Sequence, residues 1–396
     1  MTRPHRSVAA EAGGTLPPRA DVVVVGGGVA GAAAAFHLAR AEVDVVLLER
    51  DRVGAGATAA AVGLLGPALR QPFDETVRFY GSDVATRVWW FAHRSAAGLA
   101  DVLEGEGLAD AVGLDRGGVH VLAASDTLQG VESAFSAMED AGLPVAWMTA
   151  EEAAAATGTE AFVGGYRIDG PAALDGSMAA ASLADPARAA GAATREEVEV
   201  RTVTRGGSGL AVDTDQGPLR AEMVVYATHV ESRRFSAFLA DEVVPVRGQG
   251  LVTEPLGLRR PGAFATHGRM NVWRQDPEGR LHLGGWRWSS WERSYWKVRP
   301  EVDPELQADL VGWCEGAHPQ WAPLPVARRW GGIYGWTADT LPIVGPLPGS
   351  PRELVTAGFG GGGLSLAFDC GRAVAAIVLG QEPVPAAELF NPRRFA

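Results

Sequence analysis

The chain has 396 residues, of which 47% are hydrophobic and 21% charged, and a formal net charge of −12. This length suits two domains of an ordinary soluble globular protein. The acidic balance argues against a nucleic-acid partner, and two cysteines, Cys314 and Cys370, are too few for a disulfide framework or a Cys-rich zinc site.

The N-terminal segment, residues 1–20, contains no continuous apolar stretch and is predicted to be a disordered tail rather than a signal peptide. No apolar run elsewhere approaches the roughly 20 residues that span a bilayer. We therefore expect a cytoplasmic protein without membrane contact. No motif indicates a metal site.

Residues 21–49 have the pattern of a dinucleotide-binding unit. A β-branched run over 21–25 predicts a buried parallel strand, and the helix-forming run 32–40 leads to a second strand over 45–48. The turn between the first strand and the helix fits G-x-G-x-x-G. The residues of this turn predicted to bind the cofactor are Gly26, Gly28, Val29, Ala30 and Gly31.

Each of these glycines has a physical role in such a unit. Gly26 allows the tight turn, Gly28 lets the backbone approach a pyrophosphate, and Gly31 lets the helix pack closely on the strand. The phosphates then lie at the positive end of the helix. Glu49, at the end of the second strand, is placed to accept hydrogen bonds from the adenosine ribose.

Later segments favour FAD over NAD. A small-residue segment over 54–58 is suited to wrap the pyrophosphate, and a strand over 223–228 ends in small residues. The strand 354–358 runs into a glycine-rich turn and a helical pattern over 368–379. This arrangement aims a second helix N-terminus at the flavin N1–C2=O region, where negative charge collects on reduction.

With these motifs, the chain resembles the D-amino-acid oxidase superfamily, in its sarcosine oxidase, glycine oxidase and dimethylglycine dehydrogenase branch. The resemblance runs in order over nearly all of residues 21–390, and its most diagnostic block is 332–345. It implies an α/β fold with a Rossmann-like FAD-binding domain and an interleaved α+β substrate domain built on an antiparallel sheet.

The resemblance also implies the domain boundaries. The FAD-binding domain is expected over 21–85, 150–240 and 328–396, and the substrate domain over 86–149 and 241–327. Alternating apolar residues over 191–226 independently predict a strand meander in the first of these domains.

Non-covalent FAD is expected, because Gly332 occupies the position at which some relatives tether the flavin through cysteine. Beyond the glycine turn and Glu49, the predicted FAD contacts are Arg50, Gly56, Ala57, Thr58, Gly63, Leu64, Val200, Ala227, Thr228, Gly332, Ile333, Gly361, Gly362, Gly363 and Leu364.

Three residues are candidates for the substrate side. Tyr334 replaces the arginine of glycine oxidase and is implied to hold the substrate carboxylate or shape its pocket. Arg70 follows the small-residue segment, where relatives carry a carboxylate-binding arginine, although a surface arginine is an equal reading. Trp286 is one of nine tryptophans between Trp273 and Trp336, a group that indicates core packing or an aromatic pocket for an amine.

One dinucleotide fingerprint is present, so the electrons are expected to come from the substrate. The predicted reaction is oxidation of a C–N bond in an amine or amino acid by hydride transfer to flavin N5, giving an imine. A place in secondary metabolism is a further expectation. The alternatives are a flavin-dependent monooxygenase or halogenase, a flavin-binding protein without turnover, and an NAD dehydrogenase. His229 is predicted either to approach the flavin or to be an ordinary core histidine.

Overall fold

A computed structural model describes residues 15–67, 71–207, 209–266, 271–285 and 291–395. Over these residues, sixteen strands form two eight-stranded sheets. In chain order the strands are β1 (Arg19–Val25), β2 (Val45–Leu48), β3 (Val119–Ala123), β4 (Val145–Thr149), β5 (Gly164–Ile168), β6 (Ala193–Arg195), β7 (Val200–Gly206), β8 (Gly209–Thr214), β9 (Gly217–Tyr226), β10 (Val244–Pro255), β11 (Ala263–Thr266), β12 (Asn271–Gln275), β13 (Arg280–Gly285), β14 (Val326–Trp336), β15 (Ile343–Leu347) and β16 (Ser350–Ala357).

Helices cover the faces of both sheets. The α-helices are α1 (Val29–Arg40), α2 (Phe73–Tyr80), α3 (Ser82–Gly105), α4 (Leu128–Asp140), α5 (Ala150–Thr157), α6 (Gly176–Ala189), α7 (Ala237–Glu242), α8 (Trp291–Ser294), α9 (Pro304–Ala317) and α10 (Gly363–Leu379). Short 3-10 helices span His229–Arg234, Pro319–Trp321, Ala387–Phe390 and Pro392–Phe395.

The first sheet has the strand order β15–β16–β9–β1–β2–β6, and its central strands β16, β9, β1, β2 and β6 are parallel. Strands β7 and β8 continue from β9 as an antiparallel meander, which confirms the strand pattern predicted over 191–226. The predicted strands 21–25 and 45–48 are present as β1 and β2. Helix α1 begins at Val29, slightly before the predicted residue 32.

Strand β1 is buried on both faces, which explains its unbroken run of valines. Val22 and Val24 join a core with helices α1, α3, α6 and α10, whereas Val23 and Val25 pack against the β7–β9 meander. A parallel strand covered on both sides has no polar face to present to water. The parallel strands of the first sheet are therefore a middle layer, with helices on one face and strands β7 and β8 on the other.

Helix α1 packs against its neighbours at backbone distance, because glycines stand at the contacts. A Cβ atom on Gly31 would lie 1.8 Å from the carbonyl oxygen of Gly26, and one on Gly371 of α10 would lie 2.6 Å from the amide nitrogen of Ala34. Neither position has space for a side chain. Together the two contacts hold α1 between the glycine turn and α10.

The second sheet has the order β14–β10–β13–β12–β11–β3–β5–β4, antiparallel except between β11 and β3. Its two faces pack on different helices: Val121 and Tyr166 face α2 and α4, and Phe264 and Leu283 face the core that includes α9. The two sheets and their helices confirm the predicted fold class.

The predicted domain boundaries need three corrections. Strands β5 and β14 pair within the second sheet, although we had assigned most of their residues to the FAD-binding domain. Helix α3 packs on α10, although most of it was assigned to the substrate domain. Strand β1 begins at Arg19, inside the predicted tail, and residues 1–14 lie outside the described residues. Contacts between segments that are distant in the chain determine which sheet or helix layer each element joins. Local sequence patterns do not reveal these contacts.

Replacing Gly371 with alanine is expected to destabilise the protein by about 1–3 kcal/mol, since its methyl group would press on the backbone of α1. The matched control is Gly312→Ala in α9, where a Cβ would meet nothing within 4 Å and alanine should stabilise the helix by about 0.5–1 kcal/mol. Urea unfolding monitored by circular dichroism measures both changes. Equal effects of the two substitutions would contradict the packing described for α1 and α10.

Stability is also expected to fall as the pH decreases below about 6.5. Burial lowers the pKa of His37 and His318 to about 4 from the ordinary value of 6.5. The unfolded chain therefore binds protons that the folded chain excludes between these two values, so stability is full above pH 6.5 and is lost toward pH 4.

The variant His37→Gln, neutral at every pH, tests the contribution of one such group. Its loss of unfolding free energy between pH 7 and pH 4.5 should be smaller than that of the wild type by about 2 kcal/mol. The measurement is urea unfolding at each pH. If the variant and the wild type lose the same unfolding free energy between pH 7 and pH 4.5, the pKa of His37 is not lowered in the folded protein.

Candidate functional site

A cavity of ≈680 Å³ runs from the glycine turn after β1 to the second sheet. The nucleotide end is the part lined by the turn and by residues 49–51, 198–200, 227–231 and 234–235. The part lined by strands β10 and β12–β14 and by Val298 and Pro300 is called the sheet end. Residues 55–64 and 359–364 line the cavity between the two ends.

The conformation of the turn at the nucleotide end depends on Gly26 and on the Glu49 side chain. Gly26 has φ of 101°, a conformation that favours glycine, and a Cβ there would lie 2.8 Å from the carbonyl oxygen of Ala227. The Glu49 carboxylate accepts hydrogen bonds from the amides of Gly27 (2.6 Å) and Asp51 (2.9 Å). Glu49 therefore stabilises the turn. This role is additional to the predicted contact with the ribose.

Two helix N-termini meet at the cavity wall. Helix α1 begins after Gly28 and α10 after Gly362, and in the described chain neither helix has a side-chain cap. Thr58 closes over the start of α1, because its hydroxyl accepts a hydrogen bond from the amide of Val29 (3.2 Å). The amides and the helix dipoles make this part of the cavity suited to negative charge.

Residues 59–64 are fastened to the second sheet. The indole of Trp330 donates to the carbonyl oxygen of Ala60 (3.0 Å), and a Cβ on Gly332 would lie 2.6 Å from the Ala60 methyl group. On the other side, the buried Arg274 donates from Nε to the carbonyl oxygen of Val62 (2.7 Å). The wall between the two ends of the cavity is therefore positioned by β12 and β14.

His229 lines the cavity where the first sheet meets β14. Its Nε2 accepts a hydrogen bond from the amide of Gly335 (3.0 Å), so the ring proton lies on Nδ1. Burial lowers the pKa of His229 to about 4, and the ring is neutral near pH 7. The sequence predicts that His229 either approaches the flavin or is an ordinary core histidine. It is partly buried and forms part of the cavity wall.

Two polar atoms in this wall are suited to a bound polar ligand. Among the described residues, Thr228 Oγ1 and His229 Nδ1 are buried without a hydrogen-bond partner. Buried polar groups are generally paired, so their lack of partners fits a wall that meets the polar atoms of a cofactor. The residues present thus fit a dinucleotide with a polar, anionic centre.

The cavity brings together nearly all of the predicted cofactor-binding residues and Tyr334. Gly31 is the exception: it lies beneath the turn, in contact with Gly26. Arg70 and Trp286 lie outside the described residues. The predicted residues that line the cavity are Gly26, Gly28, Val29, Ala30, Glu49, Arg50, Gly56, Ala57, Thr58, Gly63, Leu64, Val200, Ala227, Thr228, Gly332, Ile333, Tyr334, Gly361, Gly362, Gly363 and Leu364.

The tryptophan cluster has several roles. Trp273 and Trp313 pack edge-to-face in the core, with ring centroids 5.2 Å apart, and Trp291 and Trp296 are exposed. Among the tryptophans that the structure describes, Trp330 lines the cavity. The aromatic-pocket hypothesis therefore applies to one described residue, and core packing explains much of the rest.

Two further properties concern metal binding and membrane-spanning helices. Within the described ranges, no His, Cys, Asp and Glu side chains form a group of three or more that could hold a metal ion. None of the helices in the same ranges is both long enough and apolar enough for a bilayer crossing.

Comparison with known proteins agrees with the dinucleotide-binding character of the cavity. The family model of FAD dependent oxidoreductases (DAO) matches residues 21–377. Glycine oxidase of Geobacillus kaustophilus is 29% identical over 367 residues, covering 91% of this chain and 93% of the relative. Glycine oxidase of Pseudomonas aeruginosa is 28% identical over 373 residues, covering 92% and 96%.

Solved structures give the same fold. The crystal structure of the Geobacillus kaustophilus glycine oxidase has a TM-score of 0.80 at 26% identity, covering 95% of this chain and 98% of that one. L-proline dehydrogenase from P. horikoshii has a TM-score of 0.79 at 21% identity, covering 96% and 98%. These matches confirm the resemblance inferred from the sequence: the chain belongs to the DAO family of FAD-dependent oxidoreductases and is an oxidoreductase of amino acids or amines with FAD as its cofactor.

Proposed function

We propose that this protein oxidises a C–N bond of an amine or amino acid by hydride transfer to flavin N5, giving an imine. The observation that carries the proposal is the single cavity, which reaches from the nucleotide end to the sheet end. FAD, when bound, supplies the hydride acceptor. Glycine oxidase and L-proline dehydrogenase, by their names, act on amino acids with a primary and a secondary amine.

In this proposal the nucleotide end holds the phosphates and ribose of FAD. Thr58 and the first amides of α1 lie where a pyrophosphate would be bound, and Val200 and Ala227 flank the adenosine. The N-terminus of α10, after Gly362, stabilises negative charge on the pyrimidine edge of the flavin. His229 supplies a neutral N–H donor, since its buried ring carries no charge near pH 7.

The sheet end then positions the substrate. Tyr334 packs flat across β10, because a Cβ on Gly248 would lie 2.9 Å from its ring. Tyr334 and Trp330 lie on the same face of β14 as Gly332, so they form a wall against which an amine can be oriented. Positioning and exclusion of water are the contributions of these side chains.

Anaerobic addition of a suitable amine or amino acid should bleach the flavin absorbance of the purified protein. A panel of primary, secondary and N-methylated amines and amino acids, followed by stopped-flow absorbance, makes the test. Reduction by NADPH and by no member of the panel would favour a monooxygenase instead. Retained flavin without reduction by any donor would favour a flavin-binding protein without turnover.

The variant Thr58→Val should raise the dissociation constant of FAD about tenfold. The substitution removes the acceptor for the Val29 amide and the hydroxyl proposed to contact the pyrophosphate. The matched control is Thr204→Val on the exposed part of β7. Titration of each apoprotein with FAD, followed by flavin fluorescence, measures the change; equal affinities in the two variants would remove Thr58 from the site.

A further inference from the structure

Arginine is distributed unevenly around the cavity. Among the described residues that line it, three are arginines: Arg50, Arg234 and Arg328. Arg50 and Arg234 lie at the nucleotide end and are both close to Glu231, at 3.9 and 3.8 Å. Arg234 also bonds Glu199 (3.0 Å). Carboxylates therefore already neutralise the arginines beside the expected position of FAD.

Arg328 differs from these two in position and in partner. It lies on β14 at the sheet end, and the contact that the described residues give it is the ring of Trp330, 5.0 Å from its guanidinium carbon. Its strand neighbour Arg329 is bonded to Gln307 (2.9 Å) on the other face of β14. A guanidinium on an indole face keeps its N–H groups available at its edge, because the ring occupies only its plane.

The indole beneath Arg328 is itself fixed. Trp330 donates to the carbonyl oxygen of Ala60 (3.0 Å), and its ring lies across β10 where a Cβ on Gly250 would come within 2.6 Å. Arg328 is exposed to solvent. Its support is thus rigid, and part of the entropy cost of holding an arginine against a ligand is already met by the fold.

Arg328 is the one charged residue among the described residues that line the sheet end. The other lining residues there are apolar, aromatic or glycine, apart from Gln249. The Gln249 amide already bonds the carbonyl oxygen of Glu301 (3.1 Å) and the amide of Asp303 (3.1 Å). An anionic group entering this end of the cavity would therefore meet Arg328 as its cationic partner.

The distance along β14 between Gly332 and Arg328 limits which anionic groups of a substrate can reach Arg328. Arg328 and Gly332 lie on the same face, four residues apart, which is about 13 Å along a strand. A carboxylate on the oxidised carbon would stay beside Gly332 if that glycine lies against the flavin. A carboxylate several bonds further away would reach toward Arg328.

We propose that Arg328 is an anion-binding residue of the substrate site, and that the substrate carries a carboxylate separated by several bonds from the C–N bond that is oxidised. The class is that of ω-amino carboxylates and their N-alkyl derivatives rather than α-amino acids. This inference rests on the proposed function for the reaction, but the binding of the carboxylate by Arg328 is independent of turnover.

The test compares two ligand series on the purified FAD-bound protein. One series is the ω-amino carboxylates from glycine to 6-aminohexanoate, and the other is the straight-chain alkylamines of matching length. Binding to the oxidised protein is followed by calorimetry and flavin difference spectra, and flavin reduction by anaerobic stopped flow. Wild-type affinity should rise with chain length in the carboxylate series and should rise less among the alkylamines.

The variant Arg328→Gln should weaken binding of the longer carboxylates about tenfold and binding of the matching alkylamines much less. The matched control is Arg299→Gln, because Arg299 lies beside Pro300, is 83% exposed in its side chain and is 4.0 Å from Glu301. Flavin content of both variants checks that the cavity is intact. High salt should weaken carboxylate binding in the wild type more than in Arg328→Gln.

The outcomes separate the two proposals. Weaker carboxylate binding in Arg328→Gln without flavin reduction by any member of either series would support the anion site and overturn the proposed reaction for these ligands. Flavin reduction with equal carboxylate binding in the variant and the wild type would overturn the anion site and keep the reaction. Equal weakening of both series would also overturn it, since a lost carboxylate contact cannot affect a ligand without a carboxylate.

Discussion

The contact of α1 with the glycine turn on one side and α10 on the other is the constraint on which the site depends. Gly31 admits the Gly26 carbonyl, and Gly371 admits the backbone of α1, so the two helices pack at a separation that no larger residue allows. This packing brings both helix N-termini to one cavity wall. The favourable environment for negative charge at this wall is therefore a consequence of helix packing more than of any charged side chain.

The parts that could be predicted from the sequence are those in which neighbours along the chain are neighbours in space. The valines of β1, the turn after it and Glu49 form one local unit, and the structure contains each of its elements. The start of α10 is harder to predict from the sequence. The helix begins at Gly363 rather than at the predicted residue 368. Glycine and serine have low helix propensity there, and packing on α1 outweighs it.

Other features depend on contacts between distant segments. Local sequence patterns do not identify the sheet that β5 and β14 join, because a strand's partner is selected by tertiary packing. His229 and Arg328 acquire their surroundings in the same way. The first becomes neutral by burial against Gly335, and the second is placed on an indole held by Ala60, some 270 residues away in the chain. No spacing in the sequence encodes either contact.

The attachment of residues 59–64 to β14 has a consequence for how the protein matures. The cavity has two walls contributed by segments near opposite ends of the chain, so it exists only after both sheets have formed and docked. A cofactor that binds this cavity and no unfolded chain adds its binding free energy to the stability of the docked state. Flavin loading and completion of the fold are thereby thermodynamically linked, so each favours the other.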